Sequence, residues 1–203
     1  GTASIAYTYN PGAANLDFLA KGQTLTLTYR VQIQQGYRVA DAQDVVLTIV
    51  GTNDSPQLNS VDQPYPFAEA ADSSAQDLAP IGGTLTAQDR DRDDQLQVVI
   101  QGSPRVTLNN SEQSFDLPES ALSLVAPDAL RFNTSGRYYY DYTYVSLSYT
   151  YDPGVADLSF LRAGDELRIS YDLAVSDGVE TSSHQTLPIR IQGHNESPTI
   201  SGD

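Results

Sequence analysis

Apolar and polar residues alternate along much of this chain. From Thr24 it reads TLTLTYRVQI, placing Leu25, Leu27, Tyr29, Val31 and Ile33 at every second position. A period of two puts such residues on one face of a pleated strand, and β-branched and aromatic side chains suit that surface. Val45, Leu47 and Ile49 repeat the pattern, as do Leu167, Ile169, Tyr171, Leu173 and Val175, and then Leu187, Ile189 and Ile191. If one unbroken strand runs through the tyrosine-rich stretch 137–154, Val145, Leu147, Tyr149 and Tyr151 share its core face. Tyr140, Tyr142 and Tyr144 then share the other face with Ser146 and Ser148. No segment sustains a helical period. Only SALSLVAPDAL (120–130) offers room for a short helix, and Pro127, which lacks an amide hydrogen, limits it.

The elements recur. The stretch from Tyr7, YTYNPGAANLDFLAKGQTLTLTYR, returns from Tyr149 as YTYDPGVADLSFLRAGDELRISYD, and GTNDSP returns as GHNESP. The offset is 142 without a gap, with 19 identities over 50 positions. Self-similarity of this kind decides the organisation of the chain before any single motif does. Pro11-Gly12 and Pro153-Gly154 are matched turn dipeptides, and Leu16, Phe18 and Leu19 match Leu158, Phe160 and Leu161. One repeat therefore spans 57–198. Residues 1–56 are the C-terminal part of a preceding repeat, and 199–203 begin the next linker. Short strands separated by Gly, Pro, Asn and Asp turns predict an all-β fold of tandem immunoglobulin-like or cadherin-like β-sandwich repeats. About three strands in 1–56 cannot close a sandwich, so their apolar faces, Leu25 to Ile33 and Val45 to Ile49, are expected to be covered. Upstream residues, a second chain or the other domain would supply that cover.

Composition narrows the chemistry. The 203 residues carry 26 Asp and Glu against 11 Lys and Arg, a formal charge of −15, with no Cys, Met or Trp and 13 Tyr. Zero Cys excludes disulfides and thiolate zinc sites. The negative charge argues against nucleic acid or an anionic membrane as partner, and no apolar run is long enough for membrane insertion by a helix. Acidity of this degree fits a strongly solvated surface, a calcium binder, or both. No charged-then-apolar leader opens the chain, so Gly1 reads as an internal position of something longer.

The repeat motifs resemble a known family. GGTLTAQDRDRDD (82–94), YTYDPG…LSFLRAGDELRISYDLAVSDG (149–178) and the endings GHNESP and GTNDSP are similar to the VCBS-type repeats of bacterial RTX-like adhesins. The ending is also similar to the cadherin junction motif, in which Asn and Asp before a Pro hold calcium between domains. The resemblance implies a large secreted cell-surface adhesin, extracellular, with calcium-stiffened stalks used in biofilm formation or host attachment. Residues 95–137 depart from the pattern.

Candidate ligands follow. Asp89, Asp91, Asp93 and Asp94 lie in DRDRDD, and carboxylates at close spacing can wrap a hard cation. The loop lacks the Gly and distal Glu of an EF-hand. In a sandwich of this topology that loop meets the hairpin of Asp177 at the end facing the previous domain, where Asn53 and Asp54 enter as the linker. Glu69, Asn195 and Glu196 are assigned by cadherin-like analogy to a calcium site at the opposite end. In the first repeat Gln35 stands where the second has Asp177, and Asp41 and Asp44 nearby read as a solvated loop. Tyr140, Tyr142 and Tyr144 form an exposed ladder able to stack a sugar or peptide, or simply to stabilise the sheet. His184 and His194 read as surface residues. No nucleophile elbow, HExxH or phosphate loop appears, so an enzyme is not expected. The reading is a stalk segment stiffened by Ca2+ between neighbouring repeats of the same chain. The alternative is a module binding a carbohydrate or protein ligand.

Overall fold

Alternation is realised as strands, and the strands build one β-sandwich with a hairpin ahead of it. The computed structural model describes residues 5–70, 76–139 and 142–195. The leading hairpin consists of β1 (Thr24–Val31), β2 (Gln34–Gln35), β3 (Arg38–Val39) and β4 (Gln43–Val50), with β1 antiparallel to β4 and the short β2–β3 pair at its tip. The sandwich then uses β5 (Gln57–Val61), β6 (Phe67–Ala68), β7 (Gln76–Asp77), β8 (Ile81–Asp89), β9 (Gln97–Ile100) and β10 (Arg105–Leu108). It continues through β11 (Leu130–Tyr139), β12 (Tyr142–Tyr151), β13 (Val155–Ala156), β14 (Glu166–Ser176) and β15 (Gln185–Gln192). One sheet has the order β11-β12-β8-β5. The other runs β10-β14-β15-β6, with β9 also on β14. The architecture is all-β. A single complete sandwich forms among the described residues, rather than two in tandem.

Alternate residues of the two sheets meet in the core. Leu85, Ala87, Val145, Leu147, Tyr149 and Tyr151 face Leu167, Ile169, Tyr171, Leu173, Leu187, Ile189 and Ile191, all buried. Interdigitated packing of this kind is where most of the stabilisation lies, at roughly 25 cal/mol per Å² of apolar surface removed from water. Gly83 permits part of it. A Cβ there would lie 2.6 Å from the Tyr149 hydroxyl, so only Gly lets that ring lie across β8, where its O–H donates to the Asp62 carbonyl (2.8 Å).

The region without a nameable motif closes the sandwich. β9 and β10 extend the edge of β14, and a 3₁₀ turn over Glu119–Val125 plugs one end with Ala121 and Leu124 fully buried. The turn stops at Ala126, which is extended (φ −59°, ψ 147°) as a residue before Pro must be. The Leu124 carbonyl accepts from the Tyr151 and Tyr171 hydroxyls at 2.8 and 3.4 Å.

The tyrosine run is not one strand. It divides between β11, which ends at Tyr139, and β12, which starts at Tyr142, and the two pair as a hairpin. Tyr140 lies outside the described residues, only the strand position of Tyr142 is described, and Tyr144 is half-buried. The continuous ladder of Tyr140, Tyr142 and Tyr144 expected from the sequence is therefore replaced by a β12 that begins at Tyr142. Val145, Leu147, Tyr149 and Tyr151 do share the core face.

Both repeats fold alike where they can be compared. β1 pairs with β4 in the register Leu25↔Ile49 and Leu27↔Leu47, and β14 pairs with β15 as Leu167↔Ile191 and Ile169↔Ile189, each residue shifted by the repeat length. The turns match as well. Gly12 and Gly154 have φ of 66° and 65°, and Gly22 and Gly164 have 81° and 89°. Their burial differs sharply. Tyr29, Val31 and Ile33 are 48%, 44% and 56% exposed, whereas Tyr171, Leu173 and Val175 are at most 3% exposed. The expected cover over 1–56 is not supplied by the described residues of this chain.

Candidate metal centre

Strand ends assemble an acidic site. β8 ends at Asp89, β14 ends one residue before Asp177, and the linker after β4 enters between them. Asp89, Asp94 and Asp177 bring carboxylate oxygens within 4.8 Å of one another. The linker is tied in directly. Asn53 Nδ2 donates to Asp177 Oδ2 (2.9 Å), and the Asp54 amide donates to Asp91 Oδ2 (2.8 Å). The loop is braced from within, since the Asp91 amide donates to Asp89 Oδ1 (2.9 Å) and the buried Thr143 hydroxyl donates to the Asp91 carbonyl (3.0 Å). Asp177 accepts the amides of Val179 and Glu180 at 2.6 and 2.7 Å, the turn that Gly178 permits with φ of 92°. Ser55 donates to Glu180, and Arg90 forms an exposed ion pair with Asp17 (3.0 Å).

Two features point beyond a solvated loop. Asp89 and Asp91 are 2% and 0% exposed, and their Oδ2 and Oδ1 atoms respectively are buried without a hydrogen-bond partner. A buried carboxylate oxygen lacking a partner costs free energy that a cation would offset. The charges also oppose one another. Burial, against a single amide donor and with Asp91, Asp94 and Asp177 adding repulsion, pushes the Asp89 carboxyl up to about 7. Burial and neighbouring carboxylates raise Asp91 and Asp94 too. At Asp177 burial acts upward but is outweighed by donors from Glu180, Asn53 and Val179, and the carboxyl stays below its ordinary range. One ionised group held among three that resist ionisation is an arrangement a divalent cation relieves, because it supplies the missing positive charge.

Of the sequence candidates, Asn53, Asp54, Asp89, Asp91 and Asp177 converge here. Asp93 does not. It has a positive φ of 70°, is largely exposed and lies 3.7 Å from Arg92, so the turn sends it outward and sends Asp94 inward. Alternation in DRDRDD favoured Asp93, and nothing in the sequence marks the left-handed residue. Oxygen donors alone, most of them carboxylate, suit a hard cation such as calcium, which takes six to eight oxygens at about 2.3–2.6 Å. Asn53 now turns its amide hydrogens toward Asp177, and as a ligand it would have to offer Oδ1 instead.

Glu69, Asn195 and Glu196 were assigned to the other end. Glu69 follows β6, which pairs with the end of β15 and so lies beside the start of β14. Ten steps of about 3.3 Å along the 11-residue β14 put the two ends roughly 33 Å apart. Glu69 is 4% exposed. Its Oε2 accepts the His194 amide (2.6 Å), and its Oε1 is buried without a partner. Asn195, which follows His194 in sequence, is exposed, and Glu196 lies outside the described residues. His184 and His194 are both exposed, as are Asp41, Asp44 and Gln35.

No family model and no curated protein matches this chain. Among solved structures it is similar to the CooA pilin subunit from enterotoxigenic Escherichia coli, with a TM-score of 0.43 at 8% identity, covering 71% of this chain and 100% of that one. It is also similar to a PapD-like domain of human CEP192, with a TM-score of 0.38 at 10% identity, covering 71% and 89%. Likeness at this level assigns no role, and the sandwich stands on its own strand order. No helix among the described residues is long and apolar enough to cross a membrane.

Proposed function

We propose that this chain is a non-catalytic extender segment of a large, secreted bacterial surface adhesin, in which calcium at the joint between repeats sets the inter-repeat angle. The observation that carries the reading is the joint itself. Linker residues Asn53 and Asp54 are bonded to Asp177 and Asp91, beside buried carboxylate oxygens that have no partner. A cation drawing on these groups would tie linker, loop and hairpin together, and would couple orientation to external calcium. The motif resemblance supports the adhesin setting. The roughly 33 Å between strand ends suits a unit repeated for length.

The magnitude fits a switch operating outside cells. Extracellular modules bind calcium with constants of about 10⁻⁴–10⁻³ M. Millimolar calcium then contributes about 0.4–1.4 kcal/mol per site, and micromolar calcium almost nothing. Calcium titration after chelation tests the reading. The melting temperature should rise and the solution scattering profile should sharpen toward one end-to-end distance, with magnesium much weaker because it sheds water reluctantly. Identical melting and scattering in chelator and in 5 mM calcium, where binding with those constants is largely complete, would remove the calcium role.

A further inference from the structure

The hairpin of β1 and β4 presents a sheet face whose counterpart is fully buried within the same molecule. Leu25, Leu27, Val45, Leu47 and Ile49 are half-buried, and Tyr29, Val31 and Ile33 are exposed. Every cross-strand pair of this hairpin equals a pair of β14 and β15 at the repeat offset. The base of the hairpin is also in its final form. A Cβ on Gly51 would lie 2.5 Å from the Ala20 carbonyl oxygen, as one on Gly193 would lie 2.4 Å from that of Arg162, the residue equivalent to Ala20. The hairpin thus holds the conformation of a sandwich half while lacking the other half. A lone two-stranded pair is marginally stable in water, so this face needs an occupant.

We infer that the occupant is a set of strands of the kind formed by residues 57–148, which in the second repeat supply the facing sheet and the edges of the β14–β15 sheet, furnished by the repeat that stands before this one. Three observations choose it over a second copy of the hairpin or an unrelated protein. In the second repeat, the same face in the same register is packed by Leu85, Ala87, Val145 and Leu147, all from 57–148. Charge fits as well, because residues 7–56 carry three basic against four acidic residues while 57–148 carry five against thirteen. A nearly neutral face meets a strongly acidic half with little repulsion. The hairpin also runs straight into the joint, Gly51 being two residues before Asn53, so the completed sandwich would rest on the linker already bonded to Asp177. The inference does not depend on any metal.

The repeat offset supplies the test. Because Tyr7 corresponds to Tyr149, residues 57–148 can be joined directly ahead of residues 7–203 without changing register. Amide hydrogen exchange at Leu25, Leu27, Val45 and Leu47 is then compared between this extended chain and the 203-residue chain, with sedimentation of both. Protection should rise at least 100-fold in the extended chain, toward that of Leu167 and Ile189, while the 203-residue chain stays monomeric. Introducing Leu47→Lys should abolish the gained protection in the extended chain, yet leave the melting temperature of the 203-residue chain unchanged. Three results would overturn the inference. One is protection in the 203-residue chain that grows with concentration alongside a dimer, making a second copy the occupant. Another is a lower melting temperature on Leu47→Lys in the 203-residue chain, showing that the face already packs within it. The third is an extended chain whose hairpin amides stay unprotected while Leu167 and Ile189 keep their protection.

Discussion

Asp89 is the residue at which folding and calcium binding should pull in opposite directions. It is 2% exposed, with one oxygen bonded to the Asp91 amide and the other bonded to nothing. Its carboxyl is pushed from 3.8 to about 7, first by burial and then by Asp91, Asp94 and Asp177. A rise of that size, at 1.36 kcal/mol per unit, sets a ceiling of about 4 kcal/mol on the cost of holding the ionised group in the metal-free fold. Water reaching a loop at the end of a sandwich lowers it, and about 1–3 kcal/mol is the expected range. Asp89→Asn keeps the shape and the acceptor for the Asp91 amide while removing the charge. In chelator at pH 7.5 the variant should be more stable than the parent by that amount. For a chain of this size each kcal/mol is worth about 2–4 °C in melting temperature.

Calcium should reverse the order. The parent gains stability from the ion, whereas the variant offers a neutral amide where an anionic ligand is needed. The pH dependence carries the same signature. Between about pH 4 and 7 the folded parent holds a proton on Asp89 that the unfolded chain has released, so metal-free stability falls as pH rises through that window. Asp89→Asn should flatten most of this slope, with Asp91 and Asp94 retaining a part in the same direction. Asp177 acts oppositely. Its lowered carboxyl contributes stability at neutral pH that is lost only as pH falls below the ordinary carboxylate range. Differential scanning calorimetry in chelator and in 5 mM calcium decides the matter. A variant less stable than the parent in chelator, or one with a full calcium response, would refute the reasoning.

Three further outcomes are expected. Asp91→Ala should broaden the end-to-end distribution in calcium by small-angle scattering, and a distribution as narrow as the parent's would count against calcium-set rigidity. Gly193→Ala should lower the melting temperature by several degrees, since its Cβ would meet the Arg162 carbonyl oxygen at 2.4 Å and backbone cannot yield cheaply; Gly51→Ala should leave that sandwich transition unchanged, because Gly51 closes only the hairpin. Arg90→Ala, which removes the exposed pair with Asp17, should shift stability by less than about 0.5 kcal/mol in urea unfolding.

Much of this could be read from the chain, and the exceptions have physical causes. Strand faces follow from a period of two, so Leu167 to Val175 and Val145 to Tyr151 were assignable by position alone. The repeat fixed equivalent turns before any coordinate, because Pro-Gly and lone Gly positions prescribe backbone angles. Three features escaped. A tyrosine-rich run has no composition signal for a reversal, so a hairpin at 139–142 looked like one strand. Within DRDRDD every residue is polar, and polar residues carry no inside–outside pattern. Which carboxylate faces inward was set by one left-handed residue, Asp93, whose φ of 70° turns Asp94 toward Asp89 and Asp177.

The third exception concerns cover rather than conformation, and it shows what alternation specifies. Leu25, Leu27, Val45, Leu47 and Ile49 declare a buried face, yet the chain leaves it half open. Alternation encodes that a face is to be buried and not what buries it. In β14 and β15 the same signal is satisfied by strands from about 20 to 100 residues earlier in the chain, which no local pattern could name. The acidic joint obeys the same logic in charge. Asp89 and Asp91 are desolvated by the fold they belong to, against their own electrostatics, and on the proposed reading a cation restores the balance that a proton supplies to Asp89 below about pH 7. On the proposed reading, a module whose apolar face and whose charge both call for a neighbour should reach its full stability only in an array.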